Sequence, residues 1–249
     1  MNSLFEYLLR IGDDSLILGQ RLSELCGHGP ILEEDIATTN ISLDLIGQAT
    51  NLLTYAAEVE NLGRDADNLA FMRIDREYKN VVLVEQPNGD FGDTMMRQFL
   101  FDAFRKLFFE RLQQSKDGQL AAIAEKSLKE TRYHLKHSSE WVIRLGDGTE
   151  ESHSRVQNSL NTLWRYRAEL FFMDEVDNEL INKGIAVDLK SFRNDYDSFV
   201  STILNEATLN PPIQNWEFGS GRKGKHSEHL GHLLAEMQYM QRTYPNMEW

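Results

Sequence analysis

Cysteine is nearly absent from this sequence, with Cys26 standing alone among 249 residues. An intrachain disulfide is thereby excluded, and the usage fits a reducing compartment. A lone thiol on an apolar helix face, where the periodicity puts Cys26, also makes a poor nucleophile. Proline is scarce as well, at five residues, so long stretches are free to stay helical. Bases are outnumbered, 26 Lys and Arg against 39 Asp and Glu, for a formal net charge of -13. Binding nucleic acid or an anionic membrane surface needs the opposite balance. No apolar run approaches the roughly 18–20 residues of a membrane span. The opening Met-Asn-Ser-Leu-Phe-Glu-Tyr has no basic stretch ahead of an apolar one, so no secretory signal is read there. A soluble, cytoplasmic protein is expected. The Walker loop, Gly-x-Ser-x-Gly and Cys-x-x-Cys are all missing.

What is present is helical periodicity. Leu45, Ile46, Ala49, Leu52, Leu53 and Ala56 follow the spacing of one buried helix face. Only Val81-Val82-Leu83-Val84 reads as β-like. Breakers such as Gly27-His28-Gly29-Pro30, Gln86-Pro87-Asn88-Gly89 and Asn210-Pro211-Pro212 divide the chain. They predict helices near 2–26, 33–61, 67–85, 91–115, 118–145, 152–182, 189–208 and 226–243. Most are longer than the usual 11–12 residues or so. Long helices on short turns make a bundle. With no linker, repeat or low-complexity tract, one all-α domain over residues 1–249 is the expectation. Phe99, Phe101, Phe104, Phe108 and Phe109, and the Leu170–Met173 run, are read as core that could also bury against a partner.

Bundles of this size often hold two iron ions. Such a centre takes a carboxylate from one helix and Glu-x-x-His from the next, twice over. Asp44 and Glu77, then Asp102 and Glu130, stand at similar separations of 33 (44 to 77) and 28 (102 to 130) residues. The imidazoles do not follow. Three residues past Glu77 is Asn80; three past Glu130 is Tyr133, with His134 one place late. One place is about 100° of helix rotation, so His134 is expected to point away. The reading is a degenerate, metal-free site whose space is filled by side chains. The stripe Asn40, Asp44, Gln48, Asn51 and Tyr55 carries a single charge and points inward. Arg73, Arg76, Arg105, Lys126 and Lys129 are the bases at hand to offset buried acids.

Two further clusters stand near the C-terminus. His226, His229 and His232 open the last predicted helix. Their side chains fan over about 120°. Capping or interface hydrogen bonds suit them better than zinc. Arg222, Lys223 and Lys225 form a basic, glycine-flanked loop that could hold a phosphate or an acidic partner, though a solvated loop is the simpler reading.

Several stretches are diagnostic together: Ile41-Ser-Leu-Asp-Leu-Ile-Gly-Gln-Ala49, Leu83-Val-Glu-Gln-Pro-Asn-Gly-Asp-Phe91, Lys129-Glu-Thr-Arg-Tyr-His-Leu135, Asn205-Glu-Ala-Thr-Leu-Asn210, His229-Leu-Gly231 and Leu234-Ala-Glu-Met-Gln-Tyr239. Over its full length the chain resembles the PaaC family, the structural subunit of the bacterial ring-1,2-phenylacetyl-CoA epoxidase. The resemblance implies a ferritin-like bundle with extra C-terminal helices that has lost its di-iron site. It implies pairing with a homologous catalytic subunit that keeps the iron, beside other oxygenase subunits and a flavin/iron–sulfur reductase. No catalytic residue carries over, because Asn80 and Tyr133 depart from the active pattern. Arg222, Lys223 and Lys225 become candidates for the CoA phosphates. Two alternatives stay open: a di-iron oxygenase in its own right, using Asp44, Glu77, Asp102, Glu130 and His134, and a self-associating bundle needing no partner.

Overall fold

Short polar side chains open the helices, each accepting a backbone N–H that the helix leaves unpaired. In the computed structural model, which describes residues 2–213, 219–245 and 247, Asn2 caps Leu4 N at 3.0 Å and begins α1 (Ser3–Ser23). Helix α2 (Leu32–Glu60) closes on Asn61 in the left-handed region at φ 53°. Among the described residues there are ten α-helices and no strand; the fold is all-α and ferritin-like. None of these helices is long and apolar enough to cross a membrane. The chain forms two compact units, Met1–Pro87 with Ser220–Trp249, and Asn88–Gly219.

The first unit is built on α1 and α2, which run antiparallel. A Cβ at Gly12 would come within 3.0 Å of Leu53, and one at Gly19 within 3.1 Å of Ile46, so these glycines let the two backbones approach. Ser42 donates to the Gly19 carbonyl at 2.8 Å along the same seam. Cys26 lies beyond the end of α1 and is exposed, not on an apolar helix face. The third expected helix, 67–85, is the largest departure. Only α3 (Ala66–Phe71), started by an Asp65–Asn68 capping box, is α-helical. Beyond it come two short 3-10 turns, Asp75–Glu77 and Val82–Glu85, joined by extended backbone. The cause lies on α1: Asp13 accepts Lys79 N at 2.8 Å and Asp14 accepts Val81 N at 2.8 Å. Amides bonded to those carboxylates cannot also serve an i to i−4 ladder.

The second unit holds α4 (Phe91–Leu112), α5 (Gly118–Gly146), α6 (Glu150–Leu163), α7 (Glu175–Asn182) and α8 (Arg193–Glu206). An Asp90–Asp93 capping box, Asp117 and Thr149 start the first three. The expected 152–182 helix is two helices with a 3-10 segment, Trp164–Phe171, between them. Packing breaks it: the Phe171 ring sits 5.4 Å from Phe104, 5.5 Å from Phe192 and 5.1 Å from Tyr196, and Asp174 then caps α7. Phe99, Phe101, Phe104, Phe108 and Phe109 on α4 are core as expected, each stabilising by about 1.5–3 kcal/mol on full burial.

The chain returns to the first unit with α9 (Glu228–Met237) and α10 (Tyr239–Thr243). These replace the single expected helix 226–243. The break falls at Gln238, whose buried amide donates to Arg73 O and Tyr78 Oη, both at 2.8 Å.

Candidate functional site

In the first unit, the positions that would hold metal are turned to other work. Asp44 is half-buried mid-way along α2 and Gln48 one turn on is buried at 2% exposure, so the polar stripe reaches inward there, while Asn40 at its start is exposed. Glu77, expected inside a helix, is exposed in a 3-10 turn, and its Oε2 accepts Ile74 N at 2.8 Å. Asn80 is fully buried and donates Nδ2 to Glu85 Oε2 at 2.9 Å and to Val81 O at 3.1 Å.

Three carboxylates that the ligand spacing does not single out hold this unit together. Asp13, Asp14 and Glu85 are at most 1% exposed. Burying a carboxylate is tolerable only with cations and full hydrogen bonding. Asp13 receives both arms of Arg73, at 2.9 Å to Oδ2 and more closely to Oδ1. Asp14 receives both arms of Arg222, at 3.1 and 2.8 Å. Glu85 accepts from Ser227 N at 2.6 Å, faces His226 Nδ1 at 2.8 Å, and takes the Asn80 amide. The sequence does carry a signal: Asp13-Asp14 interrupts an apolar helix face running from Leu8 to Leu18, where a solvated pair has no place.

Arg222, which the basic loop suggests as a phosphate ligand, spends its guanidinium within the unit. Its side chain is 10% exposed, and beyond Asp14 it donates to Arg10 O and Lys79 O at 2.8 Å each. Lys223 and Lys225 are exposed. The three histidines do not converge. His226 precedes α9 and bridges Glu85 and Tyr78 O, His229 lends its carbonyl to Arg21 at 2.7 Å, and His232 is exposed. The expected hydrogen-bonding role thus falls to His226.

In the second unit, Asp102 on α4 is 2% exposed and accepts the Ser138 hydroxyl at 2.9 Å. Burial pushes its carboxyl up to about 6, while His134, the Ser138 hydroxyl and Arg105 pull the other way. His134, expected to point away from a metal position, is itself 1% exposed, and its charge acts on Asp102. Residues 130, 134 and 138 share one face of α5, the i, i+4 stripe that puts His134 inside and half-buried Glu130 beside it. Tyr133 is turned out, 52% exposed, with its ring 6.4 Å from that of His137.

The expected counter-cations divide. Arg73 pairs with Asp13 and also feels the Glu77 charge, and Arg105 acts on Asp102. Arg76, Lys126 and Lys129 are exposed. Within each unit, among the described residues, no three His, Cys, Asp or Glu side chains gather as a metal would require. An amide bound to a glutamate and an outward phenol stand where imidazoles are needed, so these residues do not fit a di-iron centre.

The whole chain, residues 1–249, matches the family described as phenylacetic acid catabolic protein. It is 52% identical over 249 residues, all of both chains, to one of the subunits of the 1,2-phenylacetyl-CoA epoxidase of Escherichia coli (strain K12). A full-length match of this kind shows the family, and the chain belongs to the phenylacetic acid catabolic proteins.

Proposed function

We propose that this chain is a non-catalytic, structural subunit of a cytoplasmic multicomponent di-iron oxygenase that epoxidises the ring of phenylacetyl-CoA in aerobic phenylacetate catabolism. It pairs as a heterodimer with a homologous catalytic subunit and stabilises it, binding no cofactor itself. The di-iron centre belongs to that partner, and a reductase supplies its electrons. The name of the E. coli relative supports the complex and the substrate. Residues 1–249 act as one domain in this reading, as the family match over the whole chain supports.

One observation carries the non-catalytic role: Asn80 is spent on Glu85, and Tyr133 faces outward. Metal analysis tests it. The purified chain alone holds iron near zero, and its co-expressed pair with a homologue that keeps Glu-x-x-His intact holds about two irons. Two irons on this chain alone overturn the proposal and make it an oxygenase itself. Lys223 and Lys225 are the part of the basic loop proposed to meet the anionic CoA tail. Reversing both charges weakens CoA-ester binding by the assembled complex, and unchanged affinity removes that contact.

A further inference from the structure

Helix α2 carries acids and no bases. Its 29 residues include Glu33, Glu34, Asp35, Asp44, Glu58 and Glu60 and not one Lys or Arg. Its inner face, with Leu45, Leu52, Leu53 and Ala56, is buried in the first unit. Its opposite face runs Leu32, Ile36, Asn40, Leu43, Gly47 and Thr50, spaced by fours and threes. That is the near-3.5 repeat by which one helix lies along another at a shallow angle.

No charge falls on this outward line, although Leu32, Ile36 and Leu43 are 70%, 53% and 61% exposed. A solvated helix face normally carries Lys and Glu, whereas the centre of a protein interface is depleted of charge. Gly47 adds a separate observation. Glycine inside a helix lowers its stability relative to alanine. A Cβ at Gly47 would meet nothing within 4 Å, so nothing inside the chain requires the missing side chain. Close approach of another backbone over Gly47 would.

We infer that this outer face of α2 is the seam on which the partner subunit docks a helix, one with an apolar and small-residue line flanked by Lys and Arg. The inference rests on the proposed role as a subunit. Charge selects the occupant. Glu33 and Asp44 border the seam, and two copies of α2 would bring acids together with no base on either helix. A second copy of this chain is therefore the wrong partner, and a basic-edged helix the right one.

Two variants test the seam in the full chain co-expressed with the homologous catalytic subunit: Leu43→Glu, and Gly47→Gln, which fills open space. Complex formation is read by size-exclusion chromatography and titration, and the melting of each isolated variant is read by circular dichroism. Gly47→Gln melts at or above the wild-type temperature, since a helix-interior glycine is gone, yet both variants bind the catalytic subunit at least ~10-fold more weakly. Wild-type affinity in both variants overturns the inference and leaves the subunit role standing. A wild-type chain that dimerises alone, and becomes monomeric on Leu43→Glu, overturns it in favour of a second copy. If the wild-type chain does not bind the catalytic subunit at all, the inference and the functional proposal fall together.

Discussion

Removing the Arg222 guanidinium separates a structural arginine from a ligand-binding one. Arg222 gives two bonds to Asp14 and one each to the carbonyls of Arg10 and Lys79. In Arg222→Ala, Asp14, which is 1% exposed in the wild type, loses both guanidinium bonds and keeps the Val81 amide. Breaking a buried pair by removing one partner costs about 3–5 kcal/mol. Against a typical total of roughly 5–15 kcal/mol, that is a large share. With a urea slope of about 2–3 kcal/mol/M, the unfolding midpoint falls by more than ~1 M. Arg222→Lys keeps the charge but not the planar fork, and falls between alanine and wild type. Replacing both partners, Asp14→Asn with Arg222→Met, recovers part of the loss, because no orphaned charge is left. Lys223→Glu with Lys225→Glu, on exposed side chains, stays within about 0.5 kcal/mol of wild type. Equilibrium urea unfolding followed by circular dichroism ranks the series. Should Arg222→Ala unfold like the wild type while weakening CoA-ester binding by the complex, the buried-pair reasoning is refuted and Arg222 is a ligand residue after all.

Two other predictions follow from the buried polar groups. The folded Asp102 value of about 6 lies above its ordinary 3.8. Between those values the folded state holds more proton than the unfolded one. The Asp102 contribution is thus most favourable below 3.8 and declines as pH rises through 6, a cost of roughly 3 kcal/mol at neutral pH. Asp102→Asn therefore stabilises the chain at pH 8 more than at pH 5 in urea titrations, and an equal gain at both contradicts the assignment. Asn80→His combined with Tyr133→His leaves the iron content of the isolated chain near zero by elemental analysis, because residue 80 lies in a non-helical segment and Glu77 is spent on its own turn. Stoichiometric iron would show that two imidazoles alone were missing.

Much of the fold is legible in the sequence because its signals are local. Asp90, Asp117 and Thr149 stand where caps belong, and the long apolar periods of α1, α2, α4 and α5 carry their own evidence of burial. Residues 72–87 are not legible, for the opposite reason. Their backbone amides go to Asp13 and Asp14, more than sixty positions earlier, and no window around Glu77 contains that fact. His134 fails differently. Its spacing from Glu130 misses the ideal i, i+3 ligand pair, but i, i+4 also shares a helix face, and that face is the buried one.

The same contrast between local and distant signals explains how the first unit is held together. Segments without regular secondary structure need an anchor from elsewhere in the chain. In the first unit that anchor is electrostatic. Asp13, Asp14 and Glu85 each gather a cation or imidazole from a distant stretch, Arg73, Arg222 and His226, together with backbone amides from the 72–87 segment or the turn before α9. Asn80 sits inside this web as a donor to Glu85. Glu85 Oε2 meets both the Asn80 amide and His226 Nδ1 while Oε1 accepts Ser227 N, so one carboxylate ties residue 80 to the start of α9.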